Sequence, residues 1–180
     1  MVTDAELNEL DGGVSVVIRP PDLAFAAMPD IVREMHIASR LIVEIPHGTT
    51  IEAAQMVVLD YVRSHVVEPR KAPLAGSSVY VDRGFLARDM PELDAYLHYR
   101  LIDVSSIKEL VRRWYPRVYF RSPPKRGNHR ALADTRESIA ELRDYREAVM
   151  VAGVGPSSEE ARAIAARHLV DHSGAAPADS

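Results

Sequence analysis

APLAGSSVYVDRGFLARDMPELDAYLHYRLIDVSSIKELVRRW, residues 72–114, switches twice between the side-chain periods that distinguish strands from helices. Its first ten residues, 72–81, form a short apolar run of the length and composition of a buried strand. Asp82 to Leu97 carries Phe85, Leu86 and Leu93 at helical spacing, with a break at Pro91. YRLIDV (99–104) is a second strand, and Ser106-x-x-Glu109 is a capping box for a helix bearing Ile107, Leu110, Val111 and Trp114. Strand, helix, strand, helix in that order predicts an α/β fold with parallel central strands.

Working outward, residues 1–19 read as a hairpin: a short apolar start, a turn at Asp11-Gly12-Gly13, and the β-rich VSVVIRP stopped by Pro20 and Pro21. Met28 to Arg40 has a helical pattern carrying Ile31, Met35 and Ile37. Thr49-x-x-Glu52 is a capping box for a helix with Ile51, Ala54, Val58, Tyr61 and Val62 on one face. On the other side, Pro116 ends the helix begun at Ser106 and a basic, Pro-rich loop runs to Asn128. A long helix comes next, with Leu132, Ile139, Leu142 and Val149 along one side. Ser157-x-x-Glu160 opens an Ala-rich helix to about Val170, and HSGAAPADS has the composition of a disordered end. The expected division is a main domain over 1–155, with a carboxy-terminal helix and tail over 156–180.

Composition narrows the chemistry. With 180 residues, 47% of them hydrophobic, the chain can bury one sizeable core. No run approaches the ~20 apolar residues of a membrane span, and Asp4 and Glu6 stand where a signal region would be basic and then apolar, so a soluble cytoplasmic protein is expected. Zero cysteines exclude disulfides, thiolate metal sites and cysteine nucleophiles. Any metal must then sit on oxygen or imidazole ligands, which suits magnesium or manganese. A net charge of −4 argues against tight binding of long nucleic acid but leaves room for a substrate with few phosphates.

Four constellations could carry chemistry. His129-Arg-Ala-Leu-Ala-Asp134 places an imidazole and a carboxylate five residues apart beside a Gly-Asn break. On one straight helix those side chains would diverge by roughly 140°, so they converge only if His129 sits in the lead-in loop; the bland alternative is a surface histidine. Asp82 follows the apolar run 72–81, where it could line a site at a strand end or merely cap a helix. Tyr99 and Arg100 begin a strand, and the serines after it open a helix whose N–H groups could receive a phosphate. Met35-His36-Ile37-Ala38-Ser39 holds a lone helical histidine.

The strings VTDAELN, EMHIASRL, KAPLAGSSVYVDRGFLARDMPELDAYLHYRLIDVSSIKELVRRWYP, GNHRALADTRESIAELRDYRE and VGPSSEEA occur in order from the start to about Ala161. In them the chain resembles the oligoribonuclease branch of the DEDDh 3′→5′ exonucleases. The resemblance implies a ribonuclease-H-like mixed sheet flanked by helices, a homodimer, and two-metal removal of mononucleotides from the 3′ end of very short RNA, dinucleotides included. It matches Asp82 and Asp134 to metal-binding carboxylates and His129 to the general base. Tyr99 matches the tyrosine that one subunit places over its partner's active site. His36, Ser78, Arg100 and Ser105 match positions around the substrate's phosphate or base, the last two acting across the dimer.

The departure lies at the beginning. The family carries an Asp-x-Glu strand upstream of the segment matched by residue 1, and here the early Asp4-Ala5-Glu6 matches a hairpin turn and takes no catalytic role. Ser77 stands where the family usually has Asn, and Arg40 where it usually has Gly. A first strand missing from the sheet would leave the metals short of ligands, and the expectation for such a chain is poor activity. The competing readings are a catalytically defective paralogue that dimerises and binds short oligonucleotides, and an unrelated α/β small-molecule binding domain.

Overall fold

A computed structural model describes residues 1–123 and 130–169, which fall into two compact units, one ending at Val149 and one beginning at Met150. In the first unit the elements are α1 (Asp22–Ala26), α2 (Asp30–Ala38), α3 (Leu41–Glu44), a 3-10 turn (Ile45–His47) and α4 (Ile51–His65). They continue with β1 (Pro73–Gly76), α5 (Val79–Asp89), α6 (Pro91–Tyr96), β2 (His98–Asp103), α7 (Val104–Trp114), α8 (Pro116–Tyr119) and α9 (Ala131–Val149). The strands pair in parallel, Leu74 opposite Leu101 and Gly76 opposite Asp103. The expected α/β class with parallel strands is therefore what the chain adopts, in keeping with a ribonuclease-H-like exonuclease domain.

Several boundaries differ from the sequence reading, each for a local reason. The strand expected over 72–81 stops at Gly76, because Ser78 turns into the left-handed region (φ 55°) and Val79-Tyr80-Val81 enter α5. Three β-favouring residues become helical there because tertiary packing outweighs propensity: Val79 is buried at 2% exposure. The break at Pro91 occurs as expected, with the proline in the first turn of α6. Asp103, rather than Ser106, caps α7, accepting from the Ser105 N–H at 3.0 Å. Thr50, rather than Thr49, caps α4, accepting from the Ala53 N–H at 3.2 Å. Pro116 ends α7 but also opens the short α8.

The expected hairpin over 1–19 is also corrected. Antiparallel pairing is confined to a Thr3–Glu9 bridge closed around Asp4–Leu7, while Ile18 bridges in parallel to Thr49. Asp11 folds its carboxylate back onto the Gly13 N–H at 2.7 Å, so the Asp-Gly-Gly turn bends the chain without returning it on itself. Gly48 makes the second bridge possible. A Cβ there would lie 2.8 Å from both Arg19 N and Val17 O, backbone atoms that cannot swing aside. Gly48→Ala is expected to cost about 1–3 kcal/mol by overpacking, read by denaturant unfolding; an unchanged midpoint would show that this approach is not tight.

Two apolar clusters build the core of this unit. Ala54, Leu59, Met90, Leu93 and Leu97 pack α4 against α6 under the amino end of β2, with Ile18 and Leu74 against them. Val104, Val111, Leu142 and Tyr145 pack α7 against α9. Arg83 ties α5 to β2 and α6, donating to the His98 carbonyl at 2.9 Å and pairing with Asp94. In the second unit, α10 (Ser158–Ala166) begins with the expected capping box: the Glu160 N–H donates to Ser157 Oγ at 3.3 Å and the Ser157 N–H to Glu160 Oε2 at 2.8 Å. The expected disordered end over 172–180 lies outside the described residues. Among the described residues no helix is long and apolar enough to cross a membrane.

Candidate active site

Parallel strands that each feed a helix bring their following loops together at one edge of the sheet, which is where α/β proteins gather their chemistry. Here that edge joins the β1–α5 turn to the β2–α7 turn. Asp103 is its hub: Oδ1 accepts from the Ser78 N–H at 2.9 Å and the Ser105 N–H at 3.0 Å, and Oδ2 from the Ser106 hydroxyl at 2.9 Å. The hydroxyls of Ser78 and Ser105 share a hydrogen bond of 3.1 Å. These contacts hold Ser78 in a backbone conformation that a serine rarely adopts, with φ 55°.

The same residues line an open groove of about 500 Å³, bounded by Ser78, Tyr80, Asp103, Ser105, Ser106 and Glu109. It is acidic. Arg112 and then Arg113 hold the Glu109 carboxyl down at about 2, so it stays charged at any working pH. The amino end of α7, expected to offer free N–H groups to a phosphate, already gives that of Ser105 to Asp103. Sequence reasoning passed over Asp103, Tyr80 and Glu109; an aspartate at a strand end directly before Val-Ser-Ser is the signal that could have flagged the hub.

The other expected residues sit around this edge. Asp82 is exposed in the first turn of α5, one turn beyond Ser78, so its capping alternative falls away: Ser78 occupies the cap position. Asp134 is exposed in the first turn of α9. That helix reaches the same edge, because Ser138 shares a 3.0 Å hydrogen bond with Ser77 and donates to the Asp134 carbonyl at 3.0 Å. His129 lies outside the described residues.

Tyr99 and Arg100 are on β2, and neither lines the groove. Tyr99 is 74% exposed, yet it is held: its ring stacks on His98 at 4.5 Å, and Arg100 Nε donates to its hydroxyl at 3.1 Å. His36, on α2, has a buried Nδ1 with no hydrogen-bond partner among the described residues.

These groups alone do not make a divalent-ion centre. Among the described residues no three His, Asp or Glu side chains gather to hold a metal. Two exposed carboxylates do not by themselves fit a centre that needs near-octahedral oxygen ligation and offsets the repulsion of paired cations.

Comparison with known proteins supplies the remaining observation. The exonuclease family model matches residues 1–142. The chain is 66% identical over 170 residues to a protein of Streptomyces coelicolor named oligoribonuclease, covering 94% of this chain and 85% of that one. Two further proteins of that name are 56% identical: one from Mycolicibacterium paratuberculosis over 181 residues (100% and 84% covered) and one from Nocardia farcinica over 168 residues (93% and 78% covered).

Proposed function

This chain belongs to the exonuclease family, in its oligoribonuclease branch, and from that premise we infer that it is a 3′→5′ exoribonuclease acting on short oligoribonucleotides. The observation that carries the inference is 66% identity sustained over 94% of the chain. A binding-only paralogue is not favoured, since the matches at Asp82, His129 and Asp134 are all retained.

The roles follow from residue chemistry. His129 takes a proton from the attacking water. Divalent metal use goes with the family; magnesium or manganese, as two ions, is the cofactor we assign, with Asp82 and Asp134 among the ligands. Ser78 and Ser105, joined in one groove of this chain, contact the substrate together with His36, and Arg100 contacts it from the partner subunit of a homodimer. Tyr99, whose ring stacks on His98 and whose hydroxyl accepts from Arg100, is the residue we assign to cover the partner's site. An acidic groove and a net charge of −4 suit substrates with few phosphates and not long duplexes. The cytoplasm, where such fragments arise, is the assigned location.

The test is hydrolysis of 5′-labelled RNAs from dinucleotide upward, with sedimentation to give the oligomeric state. Mononucleotides should leave from the 3′ end, fastest for the shortest chains; chelation should abolish turnover and added Mg²⁺ or Mn²⁺ restore it. Internal cleavage, or full activity in chelator, would sink the assignment.

A further inference from the structure

His129 is followed at once by Arg130, whose guanidinium makes a two-pronged contact with one carboxylate. Nη1 donates to Glu44 Oε1 at 3.0 Å and Nη2 to Glu44 Oε2 at 2.9 Å, across 86 residues of sequence. Other two-pronged arginine–carboxylate contacts among the described residues, Arg88–Asp89 and Arg112–Glu109, are local on their own helices. The backbone of Arg130 is fixed as well, since its carbonyl accepts from the Asp134 N–H at 3.0 Å in the first turn of α9.

The far end of the contact is equally determined. Glu44 closes α3, a four-residue helix entered through Arg40 at φ 58°, where a glycine would be at ease, and followed by the buried Ile45. Each partner is about two-fifths exposed, at 36% and 42%, and a pair so placed adds little to stability. Its geometry is what matters: a planar fork on a carboxylate sets position in a way that a lysine could not.

We propose that Glu44 and Arg130 form a positioning clamp that fixes the chain beside His129 and ties it to the α2–α3 arm that carries His36. The proposal rests on His129 being the general base. Loss of either partner frees the residue next to the base, and small displacements of a catalytic group cost rate out of proportion to their size.

The experiment is a cycle of Glu44→Gln, Arg130→Gln and the double variant, with His129→Ala as reference, reading kcat, KM, pH profile and melting temperature on a short RNA. Each single variant is expected to lose about tenfold in kcat with KM and melting temperature near the parent's, and the double to lose no more than the worse single. Glu44→Asp, which keeps the charge and shortens the reach, should lose rate as well. Parent-like kcat in the singles beside a slow His129→Ala would overturn the clamp alone. Additive losses, or losses that track melting temperature, would also overturn it. An undiminished His129→Ala would remove the base and the clamp together.

Discussion

Replacing His129 with alanine is expected to slow turnover by about 10²-fold or more while leaving the binding of short RNA within a few-fold of the parent. A general base acts on the proton of the attacking water and not on the bound substrate, so its loss falls on kcat. The parent's rate should rise with pH as the base loses its proton, and the variant's profile should lack that limb. Single-turnover measurement on a dinucleotide, with affinity from a non-hydrolysable analogue, separates the two effects. Undiminished turnover would remove His129 from the mechanism.

Tyr145→Ala should be the most damaging substitution in the core of the first unit, costing about 3–5 kcal/mol. Tyr145 is 0% exposed between α7 and α9, beside Val104, Val111 and Leu142. Its hydroxyl donates to Glu141 Oε1 at 2.9 Å, an oxygen that Lys108 Nζ also meets at 2.9 Å. Truncation therefore opens a cavity and strips a donor from a buried carboxylate. Melting should fall by roughly 6–20 °C, taking about 2–4 °C per kcal/mol for a chain of this size. Tyr145→Phe keeps the ring and loses only the hydrogen bond to a charged group, about 1.5–3 kcal/mol.

The same pair sets a pH signature. Burial, and then Glu141, push the Tyr145 hydroxyl from 10.0 up to about 12. A pKa raised on folding stabilises the native state below the unfolded value and is lost as pH climbs through the folded one. Parent stability should therefore decline between pH 10 and about 12 by a component that Tyr145→Phe lacks. A Tyr145→Ala protein melting within about 2 °C of the parent would show that the α7–α9 contact is not what holds this unit together.

The sequence by itself determined the alternation of strand and helix over 72–114, because periodicity is a local property of side-chain spacing. It also determined the break at Pro91 and the Ser157 capping box, which need only residues within one turn of each other. The ordered matches carried the family. Boundaries shifted where a neighbour in space outbid a neighbour in sequence: Val79 is buried and turns helical, and Ile18 pairs with Thr49 in place of the hairpin pairing expected over 1–19. Only the tertiary structure decided that Asp103 holds Ser78 and Ser105 together, since these partners come from two turns and lie 27 residues apart. It alone decided that Arg130 meets Glu44 across 86 residues, because a contact whose partners share no helical or strand period leaves no trace in spacing.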